Sequence, residues 1–229
     1  PILALSLLRI PTFQASVLGG SIFRIAIGAL PFLLPLMLQV GFGLSPFESG
    51  MLTFAGAAGA LTMKMTARPI LRAFGFKPVL TVNALIVGVS LAAIGLFTPT
   101  TPGWVILAVL LIGGFFRSLQ FTSVNTLGYA EVPPARMSQA TSFASMAQQL
   151  SLTIGVAVGA LTLHFTQLLR GGEALGAGDF VVPFLFVGLI AALSGATFLR
   201  LAADAGAEVS GKRIGRRPEP PKLAATPGE

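Results

Sequence analysis

The chain has 229 residues, of which 54% are hydrophobic and 10% charged, and its mean hydropathy is +0.84. A soluble domain carries about 25% charged residues and has too little interior to hide this much apolar surface, so the composition excludes an ordinary soluble domain and points to lipid as the main solvent. The net charge of +7 comes from 15 Lys and Arg against 8 Asp and Glu; these bases are scattered between apolar runs or gathered in the C-terminal tail, which excludes a nucleic-acid partner and suits topology setting and contact with anionic lipid.

A spanning helix needs about 20 mostly apolar residues. Six stretches meet this in chain order: Gln14 to Gln39, Pro46 to Thr66, Pro78 to Phe97, Gly103 to Leu127, Gln139 to Leu168 and Phe180 to Leu201. Residues 1–13, "PILALSLLRIPTF", read as a short amphipathic or linker segment on the cytoplasmic membrane surface. Residues 14–201 then form the bundle, and residues 202–229 have the composition of a disordered cytoplasmic tail. The breaks are chemical: "GFGLSP" (41–46) and "TPTTPG" (98–103) are Gly/Pro turns, "ARPILRAFGFKP" (67–78) mixes charge with Gly and Pro, and "RGGEALGAGD" (170–179) is polar and glycine-rich. Pro31 and Pro35 predict a kink in the first span. The chain begins at Pro1 rather than Met, as a processed product or a fragment does.

Lys and Arg set orientation. Arg9 precedes the first span; Arg68, Arg72 and Lys77 lie between the second and third; Arg136 lies between the fourth and fifth; six bases lie from Arg200 onward. The alternate links carry only Arg170. An even number of spans in the plasma (inner) membrane with both termini cytoplasmic satisfies this bias.

Two arginines fall deep inside the spans. An arginine at a helix centre costs about 2.5–3.5 kcal/mol on insertion scales, so Arg117 and Arg24 each need a cavity, a carboxylate or backbone carbonyls nearby. Their settings match: "GSIFR" (20–24) against "GGFFR" (113–117). Spans one and four lead two three-helix units, and transporters are often built from such units in inverted orientation around a midplane site. On that reading the two arginines converge on one substrate region. Gln120 shares the Arg117 face at i+3; Ser118, Thr122 and Asn125 form a neighbouring polar stripe; Asn83, Gln148 and Gln149 are further polar candidates. "GVAVG" (155–159) places Gly155 and Gly159 at the spacing of close helix packing. No Asp or Glu lies deep in a span, so no proton-coupling carboxylate is visible. With no cysteine and one histidine, His164, there is no metal or cofactor constellation, and no nucleophile–base set that would indicate an enzyme.

Three stretches carry a resemblance to the major facilitator superfamily, and specifically to the C-terminal half of a fourteen-span drug:proton antiporter. "RAFGFKPVL" (72–80) resembles the short basic loop between the second and third helices of a half, usually D-R-x-G-R-[RK]; Gly75 and Lys77 match, while Arg72 stands in place of the acid and Phe76 in place of a base. "PPARMSQATSFASMAQQLSLTIGVAVGA" (133–160) and "GFGLSPFESGMLTFAGAAGAL" (41–61) resemble the entries into the fifth and second helices of such a half. The resemblance implies an all-α integral membrane protein: six transmembrane helices, as two inverted three-helix repeats, forming one half of an exporter. It implies efflux of small lipophilic compounds coupled to protons by alternating access, with a missing N-terminal half as partner. It places Arg24 and Arg117 on cavity-lining helices, and gives Arg72, Gly75 and Lys77 the role of a conformational loop. The alternatives are a non-transporting scaffold or accessory subunit, and a homodimer, which four central arginines without a carboxylate disfavour.

Overall fold

A computed structural model describes residues 5–171, 174–202 and 204–210. It contains α1 (Pro11–Gly28), α2 (Leu30–Leu36), α3 (Pro46–Phe74), α4 (Phe76–Gly95), α5 (Gly103–Tyr129), α6 (Met137–Leu169), α7 (Val181–Phe198) and a short α8 (Ala207–Ser210). All six predicted segments are helical. Pro11–Gly41, Phe76–Gly95, Gly103–Tyr129, Pro134–Leu169 and Ala177–Phe198 are long and apolar enough to cross a membrane. The second segment meets the length but not the apolarity, because α3 carries Lys64, Arg68 and Arg72 in its second half and many small residues in its first.

The kink in the first span falls where proline chemistry puts it. α1 ends at Gly28 and α2 begins just before Pro31. Beyond Pro35 the chain winds into a π-type turn, Met37–Gly41, as happens where proline withdraws a donor from the helical ladder. The predicted link 67–78 is corrected: α3 runs on through Pro69 to Phe74, and Gly75 alone, at φ 82°, turns the chain into α4. α3 opens on a capping box, in which Ser45 Oγ accepts from the Glu48 N–H and Glu48 accepts from the Ser45 N–H at 2.8 Å.

The principal contacts are α1 with α6, α3 with α5 and α4 with α7. Exchanging the set α1, α3, α4 for α5, α6, α7 maps the first pair onto the second and leaves the third on itself. The same exchange maps α1–α7 onto α5–α4, the next pairs in extent. The contacts thus have the symmetry of two three-helix repeats. Every main seam closes on glycine. A Cβ on Gly88 would lie 2.6 Å from the Gly188 carbonyl oxygen, and one on Gly188 would lie 2.7 Å from that of Gly88. A Cβ on Gly59 or Gly114 would run into the backbone carbonyls of Leu111 and Gly56, and one on Gly155 into that of Ile25. Gly159, also predicted as a packing glycine, faces Ala29. Phe23, Phe180 and Phe184 fill the space between the seams.

The N-terminal segment is not a free surface stretch. Leu5–Arg9 is a 3-10 turn, and Leu7 is buried against Phe13, Val17, Val132 and Ala140. Arg136 donates to Ser6 Oγ at 2.7 Å, and Thr12 Oγ1 donates to Glu131 at 3.1 Å. Of the predicted tail, residues 204–210 form a turn and α8, with Ala205 packed on the α3–α4–α5 cluster; residues 203 and 211–229 lie outside the described residues.

Because backbone cannot yield as a flexible side chain does, Gly59→Ala and Gly114→Ala should each destabilise the protein by about 1–3 kcal/mol. Gly50→Ala, where nothing lies within 4 Å, should not. Thermal unfolding in detergent checks this; equal behaviour of the three variants would mean the seams are loose.

Candidate functional site

α5 carries the polar centre. Arg117, Phe121 and Asn125 follow one another at i, i+4 and i+8, and so form one stripe on the helix. Arg24 reaches this stripe from α1: its Nη2 donates to Asn125 Oδ1 at 2.6 Å, and its Cζ lies 5.3 Å from the centre of the Phe121 ring. The side chain is 3% exposed. An amide and an aromatic face therefore hold this cation, and its Nε has no partner.

Arg117 is seated differently. Its Nη1 lies 2.8 Å from where a Cβ on Gly113 would stand, and its Nη2 3.1 Å from the corresponding point on Gly56 of α3. Nη1 is buried without a hydrogen bond. Ser90 Oγ, from α4, crowds the same point beside Gly113 and is likewise buried without a partner. Arg24 repeats the arrangement, since a Cβ on Gly20 would lie 2.7 Å from its Nη1. Each guanidinium folds back over the glycine four residues before it. The matching glycines of "GSIFR" and "GGFFR" thus make room for their own arginine.

This geometry corrects the expectation that the two charges converge. Helical side chains lean toward the N-terminus of their helix, and α1 and α5, as leading helices of inverted repeats, run in opposite directions. The two heads therefore diverge along the stripe by about 12 Å or more, taking 1.5 Å of rise per residue from Gly113 to Phe121. They share one face of α5 but sit on opposite sides of its middle.

Gln120 leaves the predicted cavity. It is fully buried between α4 and α5, donates to the Leu80 carbonyl at 3.0 Å and accepts from Asn83 Nδ2 at 2.8 Å; Asn83 also donates to the Phe116 carbonyl at 2.9 Å. Both residues bind helix to helix. Ser118 reaches the Ala60 carbonyl of α3 at 3.4 Å, so of the predicted stripe Asn125 alone touches a guanidinium. Gln148 is half-buried on α6 and Gln149 exposed. Arg72 is exposed, while Lys77 is half-buried at the start of α4 beyond the Gly75 turn. Sequence reasoning missed Ser90, whose only signal was a hydroxyl in an apolar run. Among the described residues the acids Glu48, Glu131, Asp179, Asp204 and Glu208 all lie at helix ends or in links, and one ion pair forms, Arg170 with Asp179 at 3.3 Å. Among the described residues neither Arg24 nor Arg117 has a carboxylate partner.

The family model described as the Major Facilitator Superfamily matches residues 6–226. The chain is 33% identical over 218 residues to the "Putative multidrug resistance protein MdtD" of Enterobacter sp. (strain 638), covering 93% of this chain and 45% of that protein. It is 34% identical over 205 residues to the proteins of the same name from Salmonella newport (strain SL254) and Salmonella typhi, covering 88% of this chain and 43% of each. The chain thus spans less than half the length of these curated relatives.

If Gln120 is a helix-to-helix bond, Gln120→Leu should cost about 1 kcal/mol of stability and leave substrate affinity unchanged. Thermal unfolding alongside a binding titration checks this; affinity lost at unchanged stability would return Gln120 to the cavity.

Proposed function

The chain belongs to the Major Facilitator Superfamily, and on that premise we propose that it is one six-helix half of a secondary transporter that exports small lipophilic compounds. The other half in this reading is an N-terminal partner, which the chain's 45% share of a relative's length supports. Transport proceeds by alternating access, the two halves rocking around a midplane site, with efflux coupled to protons. Both termini of this chain face the cytoplasm, as the distribution of Lys and Arg requires.

One observation carries the reading. Two repeat-related arginines, Arg24 buried and Arg117 half-buried, lie in the spans, each with a buried N–H group unpartnered and, among the described residues, no acid beside it. A buried donor left unmade is expensive, and a membrane arginine more so. A bundle that only had to be stable has no use for either. A transporter can use both heads, Arg24 on the inward side of the middle and Arg117 on the outward side, each able to meet an anionic group of the substrate or a carboxylate of the other half. The carboxylates that carry the protons then belong to that half as well. Asn125 and Phe121 hold Arg24 in place, and in this reading half-buried Gln148 of α6 serves the same pathway. The turn at Gly75, flanked by Arg72 and Lys77, is the short rigid link on which α3 and α4 move together.

Arg117→Ala in the full-length transporter should lower substrate flux by about tenfold or more, the worth of one charge-assisted contact, while surface expression stays normal. Flux measured in membrane vesicles decides it. Unchanged flux at normal expression would make the arginine a packing residue and remove the main support for a cavity here.

A further inference from the structure

At the end of the bundle where α1 begins and α7 ends, the structure leaves a cavity of about 460 Å³. Its walls carry one acid and one base, Glu131 from the α5–α6 link and Arg200 just past α7, together with Gln14 and Thr12 of α1. The two charges face one space without pairing, since Arg170 with Asp179 is the one ion pair among the described residues. Glu131 is held by Thr12, a hydroxyl that is itself fully buried. Arg200 is exposed. Opposite charges that line one cleft without pairing with each other are complementary to a zwitterion.

The cavity also continues in a particular direction. On α7 the face that carries Arg200 carries Leu193, 57% exposed, and Leu189, 55% exposed. On α1 the face that carries Gln14 carries Leu18, 52% exposed. Beyond the charged mouth both helices therefore present exposed leucines toward the middle of the membrane. A charged mouth at the helix ends above an apolar face is the profile of a lipid lying along the protein. Snorkelling bases at helix ends reach this depth.

We propose that this cavity binds the headgroup of a zwitterionic phospholipid with a primary amine. The phosphate meets Arg200 and the Gln14 amide, the ammonium meets Glu131, and one acyl chain lies on the exposed leucines of α1 and α7. The proposal is independent of what the protein transports. A lipid bound here ties the start of α1 to the end of α7.

Native mass spectrometry of the full-length protein in detergent, titrated with phosphatidylethanolamine and phosphatidylglycerol, tests it. One saturable phosphatidylethanolamine should bind, with phosphatidylglycerol about tenfold weaker, since it offers no ammonium to Glu131. Glu131→Gln and Arg200→Gln should each weaken phosphatidylethanolamine by about tenfold. The replacement at 131 still accepts from Thr12, so the fold is kept. Phosphatidylglycerol binding as tightly as phosphatidylethanolamine, or both variants binding unchanged, overturns the site. Soluble phosphoethanolamine competing at the same concentration as the lipid would overturn the assignment to a membrane lipid.

Discussion

The bundle depends on how closely its helices approach. In lipid an apolar side chain gains nothing by leaving the solvent, so helices hold together through backbone proximity and the dispersion contacts it allows. Here that proximity rests on glycines in every main seam, with backbone facing backbone at Gly88 and Gly188, at Gly59 and Leu111, and at Gly155 and Ile25. The seams are related by the exchange of the two three-helix units, so one packing solution is used twice. The same device makes the polar centre. A glycine one turn before each arginine opens a notch into which its own guanidinium folds. Repeat, packing and site are thus three readings of one pattern of small residues.

The notches place charge where charge is costly, and what surrounds it is neutral. Arg24 rests on an amide and an aromatic ring, Arg117 on glycines and a serine hydroxyl. Antiparallel helices with N-terminally leaning side chains carry the two heads to either side of the middle of α5, a direct consequence of inversion. In the proposed function these heads give the site two cationic levels rather than one. That arrangement suits a pathway opened first from one side and then from the other.

Much of this was legible in the sequence. Apolar runs of about 20 residues located the helices, and the match of "GSIFR" with "GGFFR" located the repeat, because the glycine and the arginine in it serve one purpose. The prolines located the break in the first span. Other features were not legible for identifiable reasons. Spacing says that Gln120 lies near the face of Arg117, but not which neighbour covers that side; α4 does, and Asn83 and the Leu80 carbonyl take both ends of the amide. The segment 67–74 carries Arg68, Pro69 and Arg72, a link by composition, yet contact with α5 keeps it helical. The direction in which each guanidinium leans followed from helix polarity but needed the two helices side by side to be read. Ser90 needed a third helix.

The central claim is that these six helices are one half of a larger transporter. Intact-mass measurement of the native gene product, captured with an antibody to residues 204–210, tests it most directly. A product of about twice the 23.6 kDa of this chain, in keeping with its 43–45% share of the relatives, is what the account predicts. A native product of 23.6 kDa would contradict it, leaving Arg24 and Arg117 with no second half to answer them.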